Sequence, residues 1–505
     1  MDLFRRNIKY YTNNHDMKRI ICYIGTLVMI IFISGCEKFL DVPPEKKNNL
    51  EIKNTEGLDM LLNYYDVIFD RSREVVLATD NYGIYKDYYL ARPSRFDGSL
   101  QYILWFTDYC ALQTYYWEKE FLKIAYANTI LSTIDDVEGT EADKAILSQD
   151  AHFLRAYEYF NLTTLYCLPY SDETKTALGL PLKRTLVYDE DIARKNLEET
   201  MNFIEEELNL ALETTLPRNI DRLWRISLPA VQAFAARFYL YIHDYVKAED
   251  FANKALQAHS ALVDYETYFT PTMRTYSSGG GTYVAPNAAT DYKFDEIYFA
   301  RILYNHTQNA VPSEDLLNLF DQTNDYRYEA FIVEDYSYNR ASVPGWAAYW
   351  QFGSIGIIHG PTTAEMYIVR AECKARRGDI AGAVADLNAV RSHRYKSGTY
   401  IDLLASDFTS NKAAVQFIID ERRREFPFTH RWYDIKRINS DPANLVDNIT
   451  ITRDFFLSDG LSADPTVNKT YTLAPGDKRF AWPIPSIDIQ LSNGQLIQNP
   501  YDEQP

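Results

Sequence analysis

Two stretches of the chain combine aromatic rings with amide and guanidinium groups, a mixture suited to binding rather than to bond breaking. Within residues 74–110 the set is Asn81, Tyr82, Tyr85, Tyr88, Tyr89 and Arg92. Within residues 265–362 the set is Tyr338, Asn339, Trp346, Tyr349 and Trp350. Tyr and Trp rings stack on flat apolar faces, while Asn and Arg hydrogen-bond to hydroxyl groups. The two sets therefore predict a site for a hydroxyl-rich ring ligand; the alternative is that each ring packs beneath its own loop.

The chain offers little that could support catalysis or bind a metal. It has no His-Glu-x-x-His pair, nucleophile elbow, phosphate-binding glycine loop or clustered Cys/His set. The eight histidines are scattered, and the glycines at 279–281 lack a following lysine, which is typical of a flexible loop. Carboxylate pairs are uninformative in so acidic a chain, because a glycosidase needs two at a defined separation in space. We therefore predict no catalytic residues, no metal site and no cofactor.

The arginine-rich segment 421–425, Glu-Arg-Arg-Arg-Glu, allows two interpretations. The first is a phosphate-binding patch. In the second, the segment is helical, so its two glutamates lie four residues apart on one face and pair with the arginines between them and with Arg431. We favour this structural interpretation, and we then expect Trp432 and Tyr433 to be core aromatics rather than a platform for a ligand.

The first forty residues have the features of a secretory signal. A basic pair at 18–19 precedes an uncharged apolar run at 20–33, which is shorter than the ~20 residues that a helix needs to span a bilayer. The run is followed by Ser-Gly-Cys, which resembles a bacterial lipobox, so we predict that Cys36 is acylated and becomes the mature N-terminus. Residues 1–35 are then the signal peptide, with Met17 as a second candidate for its start. The alternative is a buried N-terminal helix that ends in Gly-Cys.

Composition excludes some classes of partner. Residues 36–505 contain 47 basic and 68 acidic residues, a formal net charge of −21. Such a surface repels the phosphates of nucleic acids, and no basic stripe offsets it. Cys110, Cys167 and Cys373 are an odd number without metal-like spacing, so at least one thiol is free. We expect these cysteines to be small buried hydrophobes.

Most of the chain has the three- and four-residue apolar spacing of helices. Two segments, Ala230–Leu256 and Ala364–Val390, repeat each other. Each is predicted to be a helix, a tight turn and a second helix with small residues facing the first. This is the tetratricopeptide pattern; an ordinary helical hairpin is the alternative. Because one such pair cannot bury its own face, further helices should join the stack. They are predicted at 114–136, 147–166, 196–212 and 411–425.

Three regions lack this periodicity. Residues 74–110 are dense in tyrosine, residues 265–362 mix turn residues with aromatics, and residues 440–505 form a tail of loops and turns. Irregular insertions in a helical scaffold are where binding sites tend to lie. We therefore predict an all-α dominated fold, in which tetratricopeptide-like helical pairs carry a loop-rich, irregular ligand-binding face.

Five parts of the chain, in order, resemble the SusD/RagB-like family of outer-membrane nutrient-binding lipoproteins. They are CEKFLDVPP after the lipobox, AHFLRAYEYFNLTTLY at 151–166 followed by ALGLPL at 177–182, TTAEMYIVRAECKARRGDIAGAVADLNAVR at 362–391, IIDERRREFPFTHRWYDIKR at 418–437 and AWPIPSIDIQLSNGQLIQNP at 481–500. Two positions depart from the family pattern. Thr429 precedes His-Arg-Trp where the family usually has Glu-Gly, and Cys167 follows a tyrosine where glycine is usual. Both departures affect packing more than the assignment.

The resemblance implies a cell-surface, lipid-anchored binding protein and not an enzyme. Family members work with a TonB-dependent, SusC-like outer-membrane transporter, for which they capture oligosaccharides or, in the RagB branch, peptides. The resemblance also implies one SusD-like domain over residues 36–505, with helical repeats mainly at 114–256 and 362–437. On this interpretation the protein faces the cell exterior on the outer membrane, needs no cofactor and binds no nucleic acid.

Two rival functions stay open at the level of sequence. A secreted glycoside hydrolase would need a catalytic pair in the 265–362 insertion, and turnover of a defined oligosaccharide would reveal it. A tetratricopeptide-type adaptor would bind a protein partner through its concave helical face, with no ligand in the loops. We predict instead a cell-surface lipoprotein that binds glycans, or other oligomeric nutrients, for a partner transporter.

Overall fold

Helices dominate the computed structural model, which describes residues 52–70, 72, 74–187, 190–269, 293–303, 310–333, 348–349, 356–502 and 505. The helices within these residues are α1 (Thr55–Leu62), α2 (Glu74–Leu77), α3 (Lys86–Ala91), α4 (Leu100–Ile103), α5 (Thr107–Cys110), α6 (Tyr115–Thr133), α7 (Glu141–Tyr166), α8 (Leu197–Ala211), α9 (Leu228–Tyr241), α10 (Tyr245–Ala258), α11 (Tyr265–Tyr268), α12 (Glu314–Leu317), α13 (Tyr326–Phe331), α14 (Thr363–Arg376), α15 (Ile380–Ser392), α16 (Asn411–Glu425), α17 (Arg431–Asn439) and α18 (Ser486–Leu491). The strands are β1 (Phe69–Asp70), β2 (Leu178–Pro181), β3 (Arg194–Asn196), β4 (Ile302–Leu303), β5 (Ile332–Val333), β6 (Ala348–Tyr349), β7 (Ile357–Ile358), β8 (Ile451–Ser458) and β9 (Ala463–Leu473). The predicted all-α dominated class is confirmed.

The two predicted repeats form helical hairpins, α9–α10 and α14–α15. Their turn residues correspond, since His243 has a φ of 66° and Gly378 a φ of 94°, the left-handed conformation that ends many helices. The aspartates that follow, Asp244 and Asp379, cap the second helix by accepting a backbone N–H three residues further along. The alanines that face the partner helix, such as Ala248, are buried, so the two helices approach closely. The tetratricopeptide-like prediction is confirmed.

The other predicted helices join these hairpins. α7 packs against both α6 and α8, α10 packs against α14, and α14 also contacts α16. The bounds of α8 and α16 agree with the prediction to within one residue. Helix α7 begins at Glu141, earlier than expected, because Thr140 accepts the backbone N–H of Asp143 and caps the helix there.

Aromatic rings fill the contact between α7 and α9. The ring centroids of Phe153, Tyr157 and Phe160 lie 5.8, 5.3 and 5.5 Å from that of Phe234. Edge-to-face and tilted pairs of this kind stabilise a core by about 0.5–1.5 kcal/mol beyond the area they bury. Part of the chain's large tyrosine content therefore serves packing.

The three cysteines expected to behave as hydrophobes do so. Cys110, Cys167 and Cys373 are buried free thiols. Burial raises the pKa of each thiol above its ordinary value, which removes the thiolate and its reactivity at neutral pH.

Residues 74–110 are more helical than predicted. The four short helices α2 to α5 lie in this stretch. None of them is longer than six residues, so none could show the repeated apolar spacing on which a helix prediction depends. The prediction of an irregular region is therefore wrong in its local structure.

The C-terminal region 440–505 also contains regular structure that the prediction missed. Strands β8 and β9 form an antiparallel hairpin in which Ile451 pairs with Leu473, with an irregularity after Phe456. Strand β8 alternates between buried and exposed residues over its first half, the pattern of a strand with one face on the core. The buried residues of this alternating stretch are Ile451, Arg453 and Phe455.

Short strands bring the ends of the irregular regions together. β4 pairs in parallel with β1 and antiparallel with β7, so residues 69–70, 302–303 and 357–358 form one small sheet. β5, directly after α13, pairs with β6. Within the described part of the chain, no helix combines the length and apolar character that crossing a bilayer requires.

Candidate ligand-binding face

The two regions predicted to bind ligand meet in the structure. Tyr82 and Pro312 form an antiparallel bridge, Gly83 donates its backbone N–H to the Val311 carbonyl at 2.8 Å, and Ser313 donates to the Asn81 carbonyl at 2.8 Å. We call residues 81–86 and 310–313 the rim. It joins parts of the chain that lie more than 200 residues apart. Its inner residues, 81–83 and 310–312, are buried, while residues 84–86 and Ser313 are half-buried.

Tyr85 lies across this rim. It is half-buried, and its hydroxyl donates to the Pro312 carbonyl at 3.0 Å. Burial and the nearby carboxylate of Glu314 raise the pKa of Tyr85 to about 12, so its hydroxyl stays protonated. A Cβ atom at Gly83 would lie 2.6 Å from the Tyr85 ring and 2.7 Å from the Pro312 carbonyl oxygen, so glycine is required here.

A buried arginine on the C-terminal hairpin fixes the loop that leads into the rim. Arg453 donates to the carbonyls of Leu77, Thr79 and Tyr82 at distances of 3.0, 2.6 and 3.0 Å. Its guanidinium also lies 5.2 Å from the centroid of the Trp105 ring. Burial lowers the pKa of Arg453 to about 10, and the group remains charged at neutral pH. Sequence analysis missed this residue, although it occupies a position in the alternating pattern of β8 that faces the core.

Two more arginines, one in α16 and one at the start of α17, bind the same loop. Arg431 makes a bidentate pair with Asp80 at 2.7 and 2.6 Å, and Arg423 donates to the Asn81 side chain at 2.9 Å. Asn81 in turn donates to the Pro427 carbonyl at 2.7 Å. The predicted pairing of Arg431 with Glu421 or Glu425 is therefore wrong: Arg431 starts a new helix, α17, and reaches the 74–110 region instead.

Four of the six predicted residues in the first set have a packing role. Asn81, Tyr82, Tyr88 and Tyr89 are buried. The Tyr88 ring packs edge-on against Phe96, and the Tyr89 ring packs against Phe455 with centroids 5.3 Å apart. We correct the prediction at these positions, because a buried ring has no free face on which a ligand could stack, and the buried Asn81 amide already bonds to Pro427 and Arg423. Tyr85 and Arg92 remain accessible, and their role in binding stays a prediction.

Most of the second set lies outside the described residues, namely Tyr338, Asn339, Trp346 and Trp350, and so does Cys36. The backbone of Tyr349 is described, and it pairs with Ile332 in β5–β6. Strand β5 directly follows α13, so the fold places the Tyr349 backbone next to a helix of the 310–333 segment. Their part in binding stays a prediction.

A buried ion network anchors this segment to the helical scaffold. Glu425 on α16 accepts hydrogen bonds from Arg394 at 2.8 Å and from Arg327 of α13 at 2.7 Å. Arg394 also pairs with Glu296 at 2.8 Å, and Arg327 also pairs with Asp325. The rest of the arginine-rich segment belongs to the same network, since Glu421 pairs with Arg327 at 2.8 Å and with Arg424 at 2.7 Å. This supports the structural interpretation of the segment over a phosphate-binding patch, because these groups are buried and already paired.

One further cluster has the composition of a metal or catalytic site. Asp70, Glu120 and Glu158 place three carboxylates close together in the core. The Lys123 ammonium already occupies the centre of this group, 3.1 Å from Asp70, 2.9 Å from Glu158 and in contact with Glu120. His359 also contacts Asp70, at 2.5 Å. All these groups are buried, so a substrate cannot reach them, and the lysine supplies the positive charge that a metal would otherwise provide.

The helical pairs form a repeat-type scaffold, and the two insertions that it carries meet at the rim. Residues 38–240 match a family model described as starch-binding, associating with the outer membrane, and residues 362–501 match the model of the SusD family. Together these segments cover about two thirds of the chain. The chain belongs to the SusD/RagB-like family, a family of carbohydrate-binding proteins associated with the cell surface.

Solved structures share the fold across nearly the whole chain. A putative sugar-binding protein from Bacteroides vulgatus has a TM-score of 0.64 at 19% identity and covers 90% of this chain and 99% of its own. A SusD superfamily protein from Bacteroides thetaiotaomicron has a TM-score of 0.64 at 18% identity, with 88% and 100% covered. Surface glycan-binding protein A from Bacteroides uniformis has a TM-score of 0.57 at 15% identity, with 88% and 99% covered. No curated protein matches the sequence.

Proposed function

We propose that this protein is a lipoprotein of the outer cell surface that binds an oligosaccharide at the rim and delivers it to a TonB-dependent transporter. The observation that carries the proposal is the meeting of the two aromatic-rich insertions at Tyr82 and Pro312, in a chain of a carbohydrate-binding family. The buried Arg431 and Arg453 and the half-buried Arg423 hold the rim and the residues before it in place, and such preorganisation lowers the conformational cost of binding. Cys36 anchors the protein through its acyl chains, and several chains on one terminus hold a protein firmly on a membrane.

The ligand contacts that we propose come from both insertions. From the first insertion we propose the half-buried Tyr85 as a stacking ring and the exposed Arg92 as a hydrogen-bond donor. From the second insertion we propose stacking by Trp346, Tyr349 and Trp350, together with hydrogen bonds from Tyr338 and Asn339. Aromatic platforms bordered by amide and guanidinium donors would bind both the faces and the hydroxyl groups of a sugar ring.

Removing the stacking residues should weaken ligand binding without unfolding the protein. We expect Tyr85→Ala and Trp346→Ala each to cost about 1–3 kcal/mol of binding free energy, by analogy with bases stacked on aromatic rings. Calorimetry with the best oligosaccharide from a glycan array would measure this change, and the double variant should lose more than either single one.

Tyr115→Ala is the matched control, because Tyr115 is 51% exposed and lies at the start of α6. It should bind as the wild type does. Unchanged affinity in a folded Tyr85/Trp346 double variant would remove the rim as the site. A large drop in its melting temperature would show that these two rings, like Tyr82, belong to the core.

The partner transporter should be recoverable with the protein. Anchoring by Cys36 confines the protein to the membrane plane, which raises the effective concentration of the two partners, so a modest interface suffices. Affinity purification from gently solubilised outer membranes should recover a TonB-dependent transporter, identified by mass spectrometry. Repeated recovery of this protein without any transporter, under conditions that preserve other membrane complexes, would count against the delivery step.

A further inference from the structure

A groove that plays no part in the rim lies between α1, the first turns of α7 and residues 216–227. Its volume is about 680 Å³, within the range of about 300–1,000 Å³ that ligand-binding clefts occupy. Aliphatic side chains form much of its lining, including Leu147, Leu216, Leu223 and Ile226. The groove is thus large enough for several side chains of a bound molecule, and it offers them an apolar floor.

The charged residues that line this groove leave an excess of negative charge. The lining holds four carboxylates and two arginines. Arg225 pairs with Asp59 and Asp150, each at 2.5 Å, and the partly exposed Arg222 pairs with Asp59 at 3.3 Å. Two further lining carboxylates, Glu56 and Asp143, have no ion-pair partner within the described part of the chain. The groove therefore has an apolar floor bordered by uncompensated carboxylates, and a cation beside an apolar group would complement it.

Apolar side chains are exposed to solvent at the edge of the groove. Met60 lines the groove and is 72% exposed. Ile220, in the turn between the lining residues Asn219 and Arg222, is 40% exposed. Exposed apolar groups rimmed by charge mark interaction surfaces, and methionine adapts its shape to varied partners.

We propose that this groove binds a polypeptide segment in which an apolar side chain is flanked by lysine or arginine. The apolar residue fits the aliphatic floor and contacts Met60, and the flanking cations pair with Glu56 and Asp143. An oligosaccharide fits less well, because the one aromatic residue in the lining, Tyr298, is fully buried and its hydroxyl donates to the His259 carbonyl. The proposal does not depend on glycan binding at the rim.

Short fluorescein-labelled peptides of alternating composition test the charge and the apolar requirement together. Fluorescence anisotropy with the purified protein should show binding of a Lys-Leu peptide. It should show much weaker binding of a Lys-Ser peptide and no binding of a Glu-Leu peptide. The double variant Glu56→Gln/Asp143→Asn should lose about tenfold in affinity for the Lys-Leu peptide, equivalent to 1.4 kcal/mol. Met60→Ser should also lose affinity, although it changes no charge.

The matched control is Glu213→Gln/Asp402→Asn, which removes the same charge from two exposed sites on the described surface. It should bind the Lys-Leu peptide as the wild type does. An equal loss in both double variants would overturn the proposal, because it would show only general attraction to an acidic protein. Equal binding of the Lys-Leu and Lys-Ser peptides, or displacement of the peptide by the oligosaccharide bound at the rim, would also overturn it. Melting temperatures close to that of the wild type would confirm that each variant is folded.

Discussion

Replacing Glu425 by glutamine is expected to lower the free energy of unfolding by about 3–5 kcal/mol, the usual cost of breaking a buried ion pair from one side. Burial alone would raise the pKa of Glu425, but the guanidinium groups of Arg394 and Arg327 outweigh it and hold that pKa below its ordinary value. The carboxylate is therefore charged at neutral pH. Its loss would leave two buried guanidinium groups with one partner fewer, and glutamine cannot restore the charge.

The exposed pair Arg184–Glu206 provides the control. Its carboxylate is 53% exposed, so Glu206→Gln should change the free energy of unfolding by less than about 1 kcal/mol. Urea unfolding followed by circular dichroism measures both variants. A Glu425→Gln protein as stable as the Glu206→Gln protein would show that the buried network does not anchor the 310–333 segment to the scaffold.

Replacing Cys36 by alanine should release the protein from the outer membrane. An alanine cannot be acylated, so the variant would lose every acyl chain at once. Fractionation of cells that lack the partner transporter, with immunoblotting of each fraction, measures the effect. The wild type should be in the membrane pellet and the variant in the soluble fraction.

Cys22→Ala is the matched control, because it changes a cysteine inside the predicted signal and leaves the lipobox intact. It should fractionate as the wild type does. A Cys36→Ala protein that still pellets with the outer membrane in the absence of the transporter would contradict the lipid anchor. Mass spectrometry of the wild-type N-terminal peptide should also show the acyl chains on Cys36.

The helical repeats could be predicted because the signals that define them are local. The alanine spacing and the capping aspartates, Asp244 and Asp379, act within a few residues of their position in the sequence. The helices α2 to α5 could not be predicted, since a helix of four to six residues completes fewer than two turns. Such helices form because tertiary packing stabilises them, and their own sequence does not specify them.

The candidate site could be predicted only as a pair of regions. Tyrosines in a short stretch look alike in sequence whether their rings face solvent or the core, and Tyr82, Tyr88 and Tyr89 face the core. The contacts that decide this come from far away in the chain: Arg453 lies 371 residues from Tyr82, whose carbonyl it binds. Composition pointed to the two regions as candidates, but the choice between a ligand platform and a packed ring required the fold.

The most direct test of glycan binding at the rim is to measure backbone amide hydrogen exchange with and without a ligand. The ligand is the one that binds most tightly in a combined glycan array and peptide library. We expect that ligand to be an oligosaccharide. Its addition should slow exchange at the rim, residues 81–86 and 310–313, and leave the helical hairpins α9–α10 and α14–α15 unchanged. Failure of every glycan to bind, or protection confined to those hairpins, would contradict the assignment of the rim as a glycan-binding site.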